Sequence, residues 1–97
     1  MIERIEKNEE RLERSLSCIH HLEEALGEFE KVKKEVSLLN RYYGSKNWFH
    51  DKEAYETGKI PSIKAGVLSE DAVWNMNEEL VELIREMKRI VKNSQRK

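Results

Sequence analysis

Apolar residues recur along the first 43 positions at Ile2, Ile5, Leu12, Leu16, Ile19, Leu22, Leu26, Phe29, Val32, Val36, Leu39 and Tyr43, with no proline among them. From Leu22 onward the steps through Ala25, Phe29, Val32, Val36, Leu39 and Tyr43 alternate three and four. This heptad spacing predicts one long helix over about 2–43 with a coiled-coil-like seam. Glu3/Lys7, Glu10/Arg14 and Glu30/Lys34 stand four apart in the favourable orientation and lend it modest support. Gly27 falls opposite the seam, where it costs about 1 kcal/mol relative to alanine and offers a place to bend. Gly44, following Tyr43, is the expected left-handed stop.

Three of the four glycines (Gly44, Gly58, Gly66) and the only proline, Pro61, fall between residues 44 and 66. That concentration predicts an irregular crossover over 44–69. A short helix from Asn47 to Thr57 is expected inside it, begun by Asn47 and closed by Gly58. Ile60, before Pro61, is expected to be extended. The last helix is predicted over about 70–93. Ser69 suits its N-cap, Glu70 and Asp71 complement the first turn, and Leu68 can staple onto Val73. Val73, Met76, Leu80, Leu83, Met87 and Ile90 again alternate three and four, with Trp74, Val81, Ile84 and Val91 on the flanks. Lys88, Arg89 and Lys92 suit its C-terminal dipole, and the tail 94–97 is expected to fray.

The two amphipathic patterns predict an all-α fold: a single domain built as a long antiparallel helical hairpin, coiled-coil-like, with a short helix in its crossover. Composition agrees, since a chain that is 38% charged and 38% hydrophobic, with the apolar residues patterned, is that of long amphipathic helices. The net charge of −1 supplies no global field toward nucleic acid or an anionic membrane. A lone cysteine, Cys18, cannot close a disulfide within the chain. No apolar run approaches a membrane span and no signal core precedes residue 11, so a cytoplasmic location is expected and no membrane partner.

One stretch of the chain resembles a known family. Tyr42-Tyr43-Gly44-Ser45, then Trp48, Asp51, Gly58 and Pro61, then Gly66-Val67-Leu68-Ser69-Glu70-Asp71-Ala72-Val73 resemble a family of small uncharacterised bacterial proteins, catalogued as a domain of unknown function. The resemblance covers roughly residues 20–90 and implies a bacterial, helical, single-domain protein. It implies no activity.

Candidate chemistry is thin. Cys18 and His21 stand three apart, and His20 and Glu24 four apart, but Cys18 falls within the apolar face and His20 on the far side. They do not converge into the three or four ligands of a metal site, so a buried thiol and two surface imidazoles are expected, with no metal and no cofactor. Ser45, His50 and Asp51 are close in sequence, which is no evidence of a triad. Ser45 is expected to extend the turn after Tyr43, and Asp51 to cap or to pair with a lysine. An enzyme is not expected. Lys88, Arg89, Lys92, Arg96 and Lys97 form a basic end without a reading element, so nucleic acid is not expected as a partner either.

Two surfaces remain. Tyr42, Tyr43, Trp48, Phe49 and Tyr55 crowd fourteen residues and Trp74 follows. Tyr42, Tyr43, Trp48, Asp51 and Trp74 are therefore candidates for an interaction patch, but the favoured reading of the cluster is a structural mini-core, with Trp48 and Trp74 at least partly buried. The second surface follows from lengths. A helix over 2–43 is about 63 Å long and one over 70–93 about 36 Å, so the latter can cover the former only to about His20. Ile5, Leu12, Leu16 and Ile19 beyond that point are the candidate dimer interface. The expected function is that of a non-catalytic helical interaction protein that forms homodimers and takes an unidentified protein partner. The alternative is a small nucleic-acid-associated regulator using the basic tail.

Overall fold

The computed structural model of the chain describes residues 1–94, and among them the architecture is all-α. It consists of α1 (Ile2–Tyr42), α2 (Lys46–Glu56), a 3₁₀ turn at Gly66–Leu68 and α3 (Ala72–Ser94), with no strand. Two compact units divide the chain, Met1–Ser37 and a second that begins at Leu38.

The first unit is a single helix. α1 runs unbroken through Gly27, as its dense run of good helix formers favours over the local cost of one glycine. Its exposed ion pairs are Lys7–Glu10, Lys31–Glu28 and Lys33–Glu30, all three residues apart. They replace the four-residue pairings expected from sequence, at similar modest worth. All of residues 1–35 are exposed.

Burial along α1 therefore starts later than expected. Half-burial begins at Val36, not near His20, and Leu22, Leu26, Phe29 and Val32 are 37–56% exposed. An apolar row repeating every 3.5 residues winds around a helix of 3.6, so no straight neighbour covers its whole length.

The second unit holds the core. α1 ends where Gly44 takes φ +76°, the left-handed conformation that a side chain would strain. α2 begins one residue earlier than expected because its N-cap is Ser45, whose hydroxyl accepts the Trp48 amide at 3.2 Å. Asn47 is inside the helix instead. Gly58, at φ +73°, follows its end. α3 begins at Ala72, two residues later than expected, and Ser69 stands before its N-cap position; the Ser69 hydroxyl still accepts the Ala72 amide at 3.1 Å.

Among the described residues three side chains are buried: Trp48 from α2, Leu68 from the 3₁₀ turn and Val73 from α3. The half-buried residues Leu39, Tyr43, Met76, Leu80 and Ile84 continue this apolar packing at lower density. On α3 the inward residue at the third turn is Ile84, while Leu83 is 56% exposed. A period of 3.6 rather than 3.5 decides that choice, since 73, 76, 80 and 84 keep to one side of an unsupercoiled helix.

Candidate functional site

The end of the second unit is organised around Trp48. Its indole Nε1 donates to the Val67 carbonyl at 2.9 Å, which ties α2 to the 3₁₀ turn. Tyr43 meets the indole edge to face at 5.2 Å between ring centres, and Phe49 does so at 4.9 Å. Such T-shaped pairs place the positive edge of one ring on the negative face of another. The Tyr43 hydroxyl donates onward to the Glu70 carbonyl just before α3. Nearby, Asn40 and Asn77 join the last turn of α1 to α3, completing a hairpin-like arrangement within this unit.

Tyr42 and Asp51 form a mutually perturbed titrating pair. The Tyr42 hydroxyl donates to Asp51 Oδ2 at 2.7 Å, and His50 Nδ1 lies 3.3 Å from Asp51 Oδ1. The bond to Asp51 pushes the Tyr42 phenol up to about 12, with burial and the carboxylate's negative charge adding to it. The same bond holds the Asp51 carboxyl below its ordinary range, and His50 adds to the effect. Each group thus stabilises the protonation state the other prefers: a neutral phenol donating to an ionised carboxylate. Asp51 is neither the cap nor the lysine partner that the sequence predicts; its partners are Tyr42 and His50. Lys52 pairs with Glu56 at 2.8 Å, which leaves Asp51 to Tyr42.

Of the five candidate patch residues, four gather here. Tyr42, Tyr43 and Asp51 are half-buried and Trp48 is enclosed. Trp74 departs from expectation: it is 59% exposed. It directly follows Val73, and one helical step of about 100° turns it off the inward face that Val73 occupies. Phe49 is 61% exposed despite its contact with Trp48. The aromatic cluster is therefore divided, with Trp48 serving the core and Phe49 and Trp74 facing solvent. A depression beside Trp48 and Phe49 is rimmed by Lys52, Glu53, Glu56 and Glu70.

Ser45 closes the turn after Tyr43, its amide donating to the Tyr42 carbonyl at 3.0 Å, and also caps α2; His50 is largely exposed beside Asp51. Among the described residues no group of three or more His, Cys, Asp or Glu is placed to hold a metal ion. His20 and His21 are exposed, and so is Cys18, contrary to the buried thiol expected from its place on the apolar face. A lone helix has no interior, so even a small apolar thiol on it meets solvent.

The four residues of the candidate dimer interface are all on that helix and all open: Ile5 56%, Leu12 52%, Leu16 45% and Ile19 58% exposed. They belong to a row of exposed apolar side chains from Ile2 to Val32. At the other end of the chain, Lys88, Arg89 and Lys92 are exposed on α3. Arg89 grips the Glu86 carboxylate through two nitrogens, at 2.5 and 3.1 Å, so part of the basic end is neutralised in place. Arg96 and Lys97, which the basic-tail reading also uses, lie outside the described residues. No described helix is long and apolar enough to cross a membrane.

Sequence reasoning missed the Asn40–Asn77 pair and the Val67 carbonyl. A signal existed for the first, since Asn40 follows Leu39 and Asn77 follows Met76, each polar residue sitting at the edge of an apolar seam. Nothing in the sequence singles out the carbonyl.

Among the described residues these features define an all-helical fold with a small aromatic core in the second unit and an exposed apolar row on the first helix. The chain belongs to the family described as a domain of unknown function, DUF4298, whose family model matches residues 5–90. The match begins at residue 5, about fifteen residues before the roughly 20–90 span of the resemblance, and so takes in most of α1. Neither a curated protein nor a solved structure matches this chain.

Proposed function

We propose that the protein is a non-catalytic helical interaction protein that associates with itself through the N-terminal part of α1. One observation carries this reading: the large aliphatic residues from Ile2 to Val32 are all at least 45% exposed, on a helix that has no other element in its unit. Helices in water draw most of their stability from packing an amphipathic face rather than from propensity. A long row of open aliphatics is an interface or a liability. Closed two-fold dimers are the commonest way such a face is covered. The same reading includes a cytoplasmic location and coiled-coil-like, antiparallel pairing of the helices, with Asn40 and Asn77 as an anchor in the second unit.

Sedimentation equilibrium at high micromolar concentration tests it. The unmodified chain is expected to run as a dimer, and Leu12→Glu with Leu16→Glu as a monomer that keeps its native tryptophan fluorescence. A compact monomer from the unmodified chain overturns the reading.

A further inference from the structure

Between Leu12 and Val36 the large apolar residues of α1 stand at 12, 16, 19, 22, 26, 29, 32 and 36, a series that reads the same in both directions about Glu24. Leu16 mirrors Val32, Ile19 mirrors Phe29 and Leu22 mirrors Leu26, and all six are exposed. Leu12 mirrors the half-buried Val36. Moving the centre by up to a helical turn either way leaves no more than half of the eight with a counterpart. A two-fold interface between antiparallel helices calls for such a series, because each residue of one copy meets its mirror position in the other. We propose that α1 pairs with α1 of a second copy in antiparallel orientation, with the two-fold axis at Glu24. The inference rests on the self-association proposed above and adds its orientation and register: Leu16 and Ile19 of each copy lie on Val32 and Phe29 of the other. Ile2 and Ile5 fall beyond the paired stretch.

Two further observations favour this arrangement. The first is the size of the facing side chains. In the antiparallel pair about Glu24 both valines face leucines and the one phenylalanine faces an isoleucine, so a wider side chain meets a narrower one at three of the four layers. A parallel, in-register pair would stack Phe29 on Phe29 one turn from Val32 on Val32, the widest layer beside the narrowest. Helices held at a constant spacing pack best where large and small residues are set against each other across the seam. The second is area. The seven large apolar residues from Leu12 to Val32 are 37–58% exposed. They leave on the order of 700 Å² open per copy, and two copies together reach the size of a standard stable interface.

Pulsed electron spin resonance on spin-labelled chains measures both orientation and register. One sample carries the label on native Cys18, and two others carry it on Arg14→Cys or Glu24→Cys in a Cys18→Ser background. All three positions are exposed on α1. The antiparallel pair about Glu24 sets the Glu24→Cys labels level with each other, so they are expected within about 24 Å, two helix diameters. Along the axis the Cys18 labels are expected about 18 Å apart and the Arg14→Cys labels about 30 Å apart. Separations that do not grow from 24 through 18 to 14 would mean a parallel pair and overturn the proposal. Separations that grow from another centre would mean another register and overturn it too. Monomeric sedimentation of the unmodified chain would remove the self-association reading itself, which separates the two failures.

Discussion

Asn40 and Asn77 exchange two side-chain hydrogen bonds, Asn77 Nδ2 donating to Asn40 Oδ1 at 2.8 Å and Asn40 Nδ2 to Asn77 Oδ1 at 3.2 Å. The reciprocal amide pair fixes which turn of α3 faces the last turn of α1, a choice that apolar contacts alone leave open to sliding. Asn40→Ala and Asn77→Ala are each expected to lower stability, by about 1 kcal/mol. In a double-mutant cycle by urea unfolding, a coupling of about 0.5 kcal/mol or more is expected. Strict additivity would show that the two amides do not act together.

The two tryptophans are expected to behave oppositely. Trp48 is 4% exposed and Trp74 59%. Trp48→Ala removes a core side chain and its bond to Val67, and should cost about 3 kcal/mol or more. Trp74→Ala should change stability by no more than about 0.5 kcal/mol, as surface substitutions do. Thermal melts check both, and emission spectra of single-tryptophan variants should show a blue-shifted Trp48 and a solvent-exposed Trp74.

Ser45 and Ser69 each accept a backbone amide three residues ahead. Replacing either with alanine orphans that donor, and each change is expected to cost about 1 kcal/mol in a circular-dichroism melt. A loss at Ser45 but not at Ser69 would mean that α3 takes its start from another residue.

The Tyr42–Asp51 bond makes stability depend on pH at both extremes. The Tyr42 phenol is raised from 10.0 to about 12, so its contribution is present below pH 10 and is lost as pH rises toward 12. Asp51 is lowered, so its contribution is present above the ordinary carboxylate value and is lost as pH falls through the folded one. Stability is therefore expected to be flat near neutrality and to fall at each end. Tyr42→Phe should flatten both declines. Absorbance at alkaline pH should show one tyrosine ionising well after the others, and its absence in the variant assigns it.

Helix content, helix order and the stops at Gly44 and Gly58 were legible in the sequence, because they depend on local periodicity and on backbone conformations that few residues adopt. So was the bond that Ser69 accepts near the start of α3, since a hydroxyl that reaches three residues along its own chain needs no distant partner. The caps and edges that depend on competition between neighbours were not. Ser45 rather than Asn47 began α2, and Ser45 is the better placed for the first free amide.

Burial was decided only by tertiary structure. Sequence marks a side chain as apolar, but the side that is covered depends on where the neighbouring element lies, which is why Trp48 is enclosed while Trp74 and Phe49 face solvent. The same holds for Asp51, whose partner Tyr42 is nine residues away and on another helix. The apolar row on α1 was determined by sequence alone. That row stays open because the first unit contains one helix, and a single helix can display an apolar face but cannot bury it.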